Sequence, residues 1–275
     1  LNPRTKQREI PSNKIIDVPS YSQYIRDKNI GGVICSPTSI TMLLNRRNEN
    51  LIVEETAWSC FDYDYEAFGN WLFNVAFASS LGYESFVEYG NLKSLKREIY
   101  SEYPVAVSVK YTNDINNLEY PYIENAPITT AGNILVVRGF EKKDGIDYVV
   151  VNDPAGKSNE SVTRRYKLSE FESAWHRGSN IMYIIHDKEV EINNNRIEAS
   201  LELKNNKENL YSVLVNDTYL DLSSDFVKTI LITYDNGLTF ESLVPYNNHY
   251  LALENKNNCK IYIVGSDGFT YVCNC

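Results

Sequence analysis

Residues 31–44 have the sequence Gly31-Gly32-Val33-Ile34-Cys35-Ser36-Pro37-Thr38-Ser39-Ile40-Thr41-Met42-Leu43-Leu44, and this stretch decides the fold. The apolar residues at positions 40, 43 and 44 share one face of a helix that we expect to run from Cys35 to about Arg46. Pro37 falls in the first turn, where its missing N–H leaves no hydrogen bond unmade. The sequence therefore predicts a cysteine at the N-terminus of an amphipathic helix.

Such a cysteine is a candidate nucleophile, because the partial positive charge of a helix N-terminus lowers the pKa of a thiol. Gln23 lies upstream of Cys35 and is a candidate side-chain donor for an oxyanion hole. Nucleophilic attack on an amide also requires a base and a residue that orients it. Asn133 begins a predicted buried strand and Asp153 ends the next one, so we expect these two positions to meet.

Several longer motifs surround these positions. They are Asp17-Val18-Pro19-x-Tyr21-Ser22-Gln23, Cys35-Ser36-Pro37-Thr38-Ser39-x-x-Met42-x-Leu44, Gly69-Asn70-Trp71-x-Phe73-Asn74, Thr130-Ala131-Gly132-x-x-x-Val136-Val137-Arg138-Gly139-Phe140, Val151-Asn152-Asp153-Pro154-Ala155 and Phe171-Glu172-x-Ala174-Trp175. On these motifs, residues 17–187 resemble the bacterial double-glycine-peptidase-like family, papain-fold relatives of the bacteriocin-processing transporter peptidases.

The resemblance implies a role for four positions. Cys35 would be the nucleophile, Gln23 would belong to the oxyanion hole, and Asp153 would orient the base. The family's histidine base falls at Asn133, so the chain departs from the family pattern there. An asparagine amide can form hydrogen bonds but cannot accept a proton at neutral pH.

The sequence therefore predicts a papain-like cysteine peptidase that is inactive as it stands, with a peptide or protein as its substrate. Asn133 is either an engineered substitution or the mark of a natural pseudo-peptidase. Two alternative functions are a peptide-binding pseudo-peptidase and an amidase or acyl transferase on the same scaffold.

The predicted organisation has three parts. Residues 1–16 are an N-terminal arm, and residues 17–188 are an α+β papain-like domain with N-terminal helices packed on an antiparallel sheet. In that domain Ser169 and Glu172 form a capping-box signature that predicts a helix reaching Trp175. Residues 189–275 are a small all-β domain of sandwich type, because alternating runs are separated by Asn-rich turns. We expect this domain to dock a partner or a cell surface.

Composition excludes some classes of function. The net charge of −9 and the absence of a basic cluster argue against nucleic-acid binding. No apolar run is long enough to span a membrane. We expect no cofactor and no metal site: the alternating Asp62, Asp64 and Glu66 do not match a calcium-binding loop. A chain that begins without Met fits a mature product with a removed signal, and we expect a secreted or cell-surface protein.

Cys259, Cys273 and Cys275 lie close together near the end of the chain. A hairpin around residues 265–268 brings Cys259 opposite Asn274, between Cys273 and Cys275, and a one-residue change of loop length puts it opposite one of them. A terminal disulfide and three reduced thiols are the two alternatives, and the disulfide would indicate an oxidising compartment. Of the histidines, His176 at the end of a helix is an alternative base, and His186 and His249 are expected at the surface.

Overall fold

The structure is a computed structural model that describes residues 13–192 and 195–275. Within these residues the chain forms a seven-stranded sheet with helices, followed by an eight-stranded sheet without any. The helices of the first part are α1 (Cys35–Asn45), α2 (Val53–Ser59), α3 (Trp71–Ser80), α4 (Leu92–Tyr100) and α5 (Leu168–Arg177). The α+β class and the all-β second part are as the sequence predicted.

Every strand pair in the first sheet is antiparallel, and three of the five helices precede most of its strands. Its strands are β1 (Lys14–Ile15), β2 (Tyr83–Tyr89), β3 (Val105–Tyr111), β4 (Thr130–Lys143), β5 (Ile146–Asn152), β6 (Thr163–Lys167) and β7 (Ile181–Lys188). They lie in the order β2-β7-β3-β4-β5-β6, with β1 added on β4. The central strands β3, β4 and β5 are therefore neighbours, and their ends meet α1.

Helix α1 is the central helix of this domain, because it is buried on nearly all sides. Every residue from Ser36 to Leu44 is buried, as expected for a helix enclosed within a core. Two hydroxyl groups fix its first turns against the sheet: Ser39 Oγ donates to the carbonyl oxygen of Ile134 at 2.9 Å, and Ser36 Oγ lies 2.9 Å from the hydroxyl of Tyr183. These bonds hold the N-terminal half of α1 against the beginning of β4 and against β7.

Two details differ from the sequence predictions. Ser169 does not cap α5, which begins at Leu168 with Lys167 in the N-cap position and no side-chain cap. Strand β6 ends at Lys167 and the chain enters the helix at once, so Ser169 already lies inside it. Lys14 and Ile15 pair with Phe140 and Gly139, whereas an irregular arm was expected there. The arm residues 1–12 lie outside the described residues.

The second sheet has the order β10-β9-β8-β15-β14-β11-β12, with β13 paired to β9. Its strands are β8 (Arg196–Asn205), β9 (Leu210–Val215), β10 (Thr218–Tyr219), β11 (Val227–Thr233), β12 (Glu241–Ser242), β13 (Leu251–Ala252), β14 (Lys260–Gly265) and β15 (Thr270–Asn274). Strands β9 and β11 are not neighbours, yet Val213 and Ile230 belong to one buried cluster. The sheet therefore curls over a single core, as a sandwich-like domain does.

A disulfide joins Cys259 to Cys275 at the end of this domain. Val264 pairs with Thr270, so the register differs by one residue from a hairpin in which residues 265 and 268 face each other. That shift places Cys259 beside Cys275, whose backbone N–H donates to the Cys259 carbonyl at 2.9 Å. Cys273 is a free, buried cysteine of the core.

The two sheets are connected through α2. The indole Nε1 of Trp58 donates to Thr229 Oγ1 at 2.9 Å, and that hydroxyl donates to Asp27 Oδ2 at 2.7 Å. An apolar cluster beside these bonds contains Ile52 from the first part and Leu231 and Tyr262 from the second. None of the helices in the described part of the chain has the length and apolar character required to span a bilayer.

His186 on β7 predicts a pH-dependent stability. Its Nδ1 lies 2.9 Å from Glu84 on β2, and its Nε2 lies 2.8 Å from Glu98 on α4. Burial lowers the pKa of His186, and the carboxylates of Glu84 and Glu98 raise it. The two carboxylates together outweigh burial, so the pKa lies above its ordinary value. A raised folded-state pKa stabilises the fold below the unfolded-state pKa of about 6.5, and that stabilisation is lost as pH rises through the folded-state pKa.

We therefore expect the free energy of unfolding to fall as pH rises from about 6 through the raised pKa of His186. His186→Gln should reduce stability by about 1 kcal/mol at low pH and remove this decline. Urea denaturation across pH measures both effects. His176→Gln is the control, because His176 is an exposed histidine; an equal loss in the two variants would contradict the expectation.

Candidate active site

Cys35 is the first residue of α1 and is partly buried. Ile134 lies on β4, two residues after Gly132. Its backbone N–H donates a hydrogen bond to the Cys35 sulfur. Burial raises the pKa of the Cys35 thiol, the Ile134 hydrogen bond lowers it, and the charge of Asp153 raises it again. The pKa lies above its ordinary value, so Cys35 is a protonated thiol at neutral pH.

Asn133 precedes Ile134 on β4 and is buried, with 4% of its surface exposed. Its Nδ2 donates to Asp153 Oδ1 at 2.9 Å and to the hydroxyl of Tyr111 at 3.1 Å. Because Ser39 of α1 donates to the carbonyl oxygen of Ile134 at 2.9 Å, the beginning of β4, and Asn133 with it, lies beside the first turns of α1. Asn133 and Asp153 thus meet, as strand order led us to expect.

Asp153 follows the last residue of β5 and is completely buried. Its Oδ1 accepts from Asn133 Nδ2 and from the backbone N–H of Ala155 at 3.0 Å. Its Oδ2 accepts from the hydroxyls of Tyr111 at 2.7 Å and Tyr166 at 2.8 Å. A buried carboxylate requires such partners, and here all four are neutral donors.

Tyr111 and Tyr166 were not identified from the sequence as site residues. Burial, and then the charge of Asp153, raise the pKa of both phenols well above its ordinary value. Both hydroxyls are therefore fully protonated donors. The sequence does indicate that a tyrosine in a buried strand needs a hydrogen-bond partner for its hydroxyl. It does not indicate that this partner is Asp153.

Gln23 lies on a short 3-10 helix, Gln23–Ile25, and is buried. Its backbone N–H donates to the Pro154 carbonyl at 3.0 Å, which ties it to the loop after Asp153. Its Nε2 donates to the Gly31 carbonyl at 2.9 Å, while its Oε1 is buried without a partner. Gly31 is needed here, since a Cβ would lie 2.8 Å from the Gln23 carbonyl oxygen.

Tyr24, the residue after Gln23, is a further residue of this site. Its ring is 44% exposed. Burial of the phenol is the largest cause that raises the pKa of Tyr24, and the Asp153 carboxylate raises it as well. Tyr24 therefore offers a partly exposed aromatic surface next to Gln23 in the chain.

The other predicted alternatives lie elsewhere. His176 and His249 are exposed, and both ring nitrogens of His186 face glutamates, so no histidine of the described chain contacts Cys35 or Asp153. Asp62 accepts from the backbone N–H groups of Asp64 and Tyr65 and from Asn70 Nδ2 at 2.6 Å. These bonds hold its own loop at the start of α3. Among residues 13–192 and 195–275, no three His, Cys, Asp or Glu side chains are grouped so that they could bind a metal ion.

The first domain matches the model of a known protein family. The model of the Peptidase_C39 like family matches residues 15–182. No curated protein matches the sequence significantly.

Three solved structures are similar to this chain. A double glycine motif protease from an AMS/PCAT transporter, in complex with the leader peptide, is 17% identical, with 62% of this chain and 93% of that chain covered and a TM-score of 0.41. A structure described as a C39-like peptidase from Bacillus anthracis is 16% identical, with 65% and 100% covered and a TM-score of 0.48. Digestive procathepsin L 3 from the Tenebrio molitor larval midgut is 12% identical, with 66% and 72% covered and a TM-score of 0.46.

The two tyrosines around Asp153 lead to a stability prediction. Tyr166→Phe removes one of the two hydroxyl donors to Asp153 Oδ2 and leaves that buried oxygen short of a partner. We expect the free energy of unfolding to fall by about 2 kcal/mol, measured by urea denaturation. Tyr65→Phe, at a ring that is 81% exposed, is the control and should change it little. If the Tyr166 variant were as stable as the control, the hydroxyl would not be needed by the carboxylate.

Proposed function

This chain belongs to the Peptidase_C39 like family, and we propose that it is a pseudo-peptidase: a cysteine-peptidase scaffold that binds peptide without hydrolysing it. The observation that carries the proposal is the bond from Asn133 Nδ2 to Asp153 Oδ1 at 2.9 Å. By resemblance to the family, a histidine would stand at position 133 and donate to the same carboxylate. Asn133 makes that hydrogen bond but supplies no base.

The chemical consequence follows the proton. In a cysteine peptidase the base removes the thiol proton and later gives it to the departing amine. Asn133 can do neither, because an amide is not protonated at neutral pH. The pKa of Cys35 is raised, since burial outweighs the Ile134 hydrogen bond. Cys35 therefore stays a thiol, and the leaving amine would have no acid.

Three features of the scaffold support peptide binding. Cys35 keeps its place at the N-terminus of a helix, where backbone N–H groups point outward. Gln23 is held beside the Asp153 loop, and Tyr24 offers a half-exposed ring at the same surface. Polar donors for a carbonyl next to an aromatic surface suit an extended peptide.

We also propose that the protein works in an oxidising compartment, as a secreted or cell-surface protein. The Cys259–Cys275 disulfide supports this location, because such bonds persist outside reducing compartments. A role of the β domain in docking a partner or a cell surface stays a prediction.

Restoring the base tests the proposed reason for inactivity. Asn133→His should raise peptide cleavage by on the order of 10³-fold or more, because an imidazole would accept the thiol proton while Asp153 orients it. The substrate is a mixture of unfolded proteins, and mass spectrometry detects the peptides that the variant releases from it. Asn133→Gln, which keeps an amide, should stay inert, and adding Cys35→Ser to Asn133→His should abolish the gain. A folded Asn133→His variant without any cleavage would argue against a peptidase-derived site.

Peptide binding by the unmodified chain tests the retained function. We expect calorimetric titration with a library of extended peptides to find micromolar binders that remain intact during the measurement. Tyr24→Ala should weaken them by about tenfold, because it removes the partly exposed ring next to Gln23. Tyr65→Ala, also at an exposed tyrosine, is the matched control. Absence of any binder, or equal weakening in both variants, would remove the support for a peptide-binding role.

A further inference from the structure

A cavity of about 410 Å³ lies between the two domains, and residues of both domains line it. The residues that matter for its chemistry are Arg26 and Ile52 from the first domain and Arg196, Phe240, Lys260 and Tyr262 from the second. Its volume is in the range of small-molecule sites. Cys35, Asn133 and Asp153 do not line it.

Two of its three cations are already held in place. Arg26 donates through Nε and Nη2 to Glu54, and Arg196 donates through Nε and Nη2 to Glu55. Both glutamates lie on α2 and are buried, and neither lines the cavity. The Nη1 group of each arginine makes no hydrogen bond within the described part of the chain, so two N–H donors remain available.

Aromatic rings fix the same guanidinium groups. The Cζ atom of Arg26 lies 4.5 Å from the centre of the Phe240 ring, and that of Arg196 lies 5.3 Å from the centre of the Tyr262 ring. Such cation–π contacts restrict the side chains before any ligand arrives. A preorganised pair of guanidinium groups loses little entropy when it binds an anion.

Lys260 supplies the unbalanced charge. Its Nζ lies 5.4 Å from the centre of the Tyr262 ring and forms neither an ion pair nor a hydrogen bond with any described residue. No aspartate or glutamate lines the cavity. The three cations of the cavity thus face only two carboxylates, those of Glu54 and Glu55, which do not line it. The cavity therefore carries excess positive charge although the net charge of the chain is −9.

From this excess of fixed positive charge we infer that the interdomain cavity binds a small polyanion, with Lys260 and the free Nη1 groups of Arg26 and Arg196 as its donors. The anionic groups are phosphate or carboxylate, both of which match the arginine fork. A ligand that contacts both domains also stabilises their association, because it binds the folded pair and not the unfolded chain.

Calorimetric titration of the full chain with pyrophosphate, adenosine monophosphate and citrate tests this inference. We expect one saturable site for at least one of the three anions. Lys260→Gln should weaken it by at least about tenfold, and Lys260→Arg should keep it, because the positive charge is retained. Binding of the two phosphates alone assigns phosphate, binding of citrate alone assigns carboxylate, and binding of all three assigns polyanions in general.

Two further variants separate a specific site from general charge effects. Lys207→Gln removes an exposed lysine outside the cavity and should leave binding unchanged. Asn236→Asp places a negative charge on the cavity wall at a residue with φ of 58°, which aspartate tolerates, and should weaken binding without loss of fold. The inference is overturned if no anion shows saturable binding, if Lys260→Gln binds as well as the unmodified chain, or if Lys207→Gln weakens binding equally.

Discussion

The site depends on one buried carboxylate. Asp153 has no exposed surface, and burying an uncompensated carboxylate would cost more than the stability of most domains. The chain compensates it with four neutral donors that come from β3, β4, β6 and its own loop. Because these elements are distant in sequence, satisfying Asp153 fixes the relative position of three strands.

That requirement explains how an asparagine fits at position 133. The carboxylate needs a donor from the beginning of β4, and an amide supplies one at 2.9 Å without any rearrangement. The hydrogen bond that Asp153 needs and the base that catalysis needs are therefore separate requirements at this position. The fold needs an N–H donor directed at Asp153, whereas proton transfer needs a group that also accepts a proton from Cys35. Under the proposed function, Asn133 meets the first requirement and not the second.

Most of the regular structure could be predicted from local patterns. The helix at Cys35 follows from its apolar face, and the hydrophobic runs at positions 105–109 and 134–140 correspond to β3 and β4. Helix α2 was missed because Glu54 and Glu55 make a buried segment look exposed. Their partners, Arg26 and Arg196, come from far away in the sequence and cannot be inferred from local periodicity.

The site was predictable only in part, for a similar reason. Strand order brings Asn133 and Asp153 together, and the helix start identifies Cys35. Tyr111 and Tyr166 complete the site through long-range contacts that leave no local signal. The same applies to the cavity between the domains, whose cations come from residues 26, 196 and 260.

The most direct test of the central claim is the pKa of the Cys35 thiol in the unmodified protein. The rate of iodoacetamide labelling is measured as a function of pH, with mass spectrometry to locate the label. Cys60 and Cys273 are buried and Cys259 and Cys275 are bonded, so Cys35 is the accessible thiol. The account predicts an inflection above the ordinary thiol value of about 8.5. An inflection below about 7 would contradict it, because Cys35 would then be a thiolate activated without a histidine.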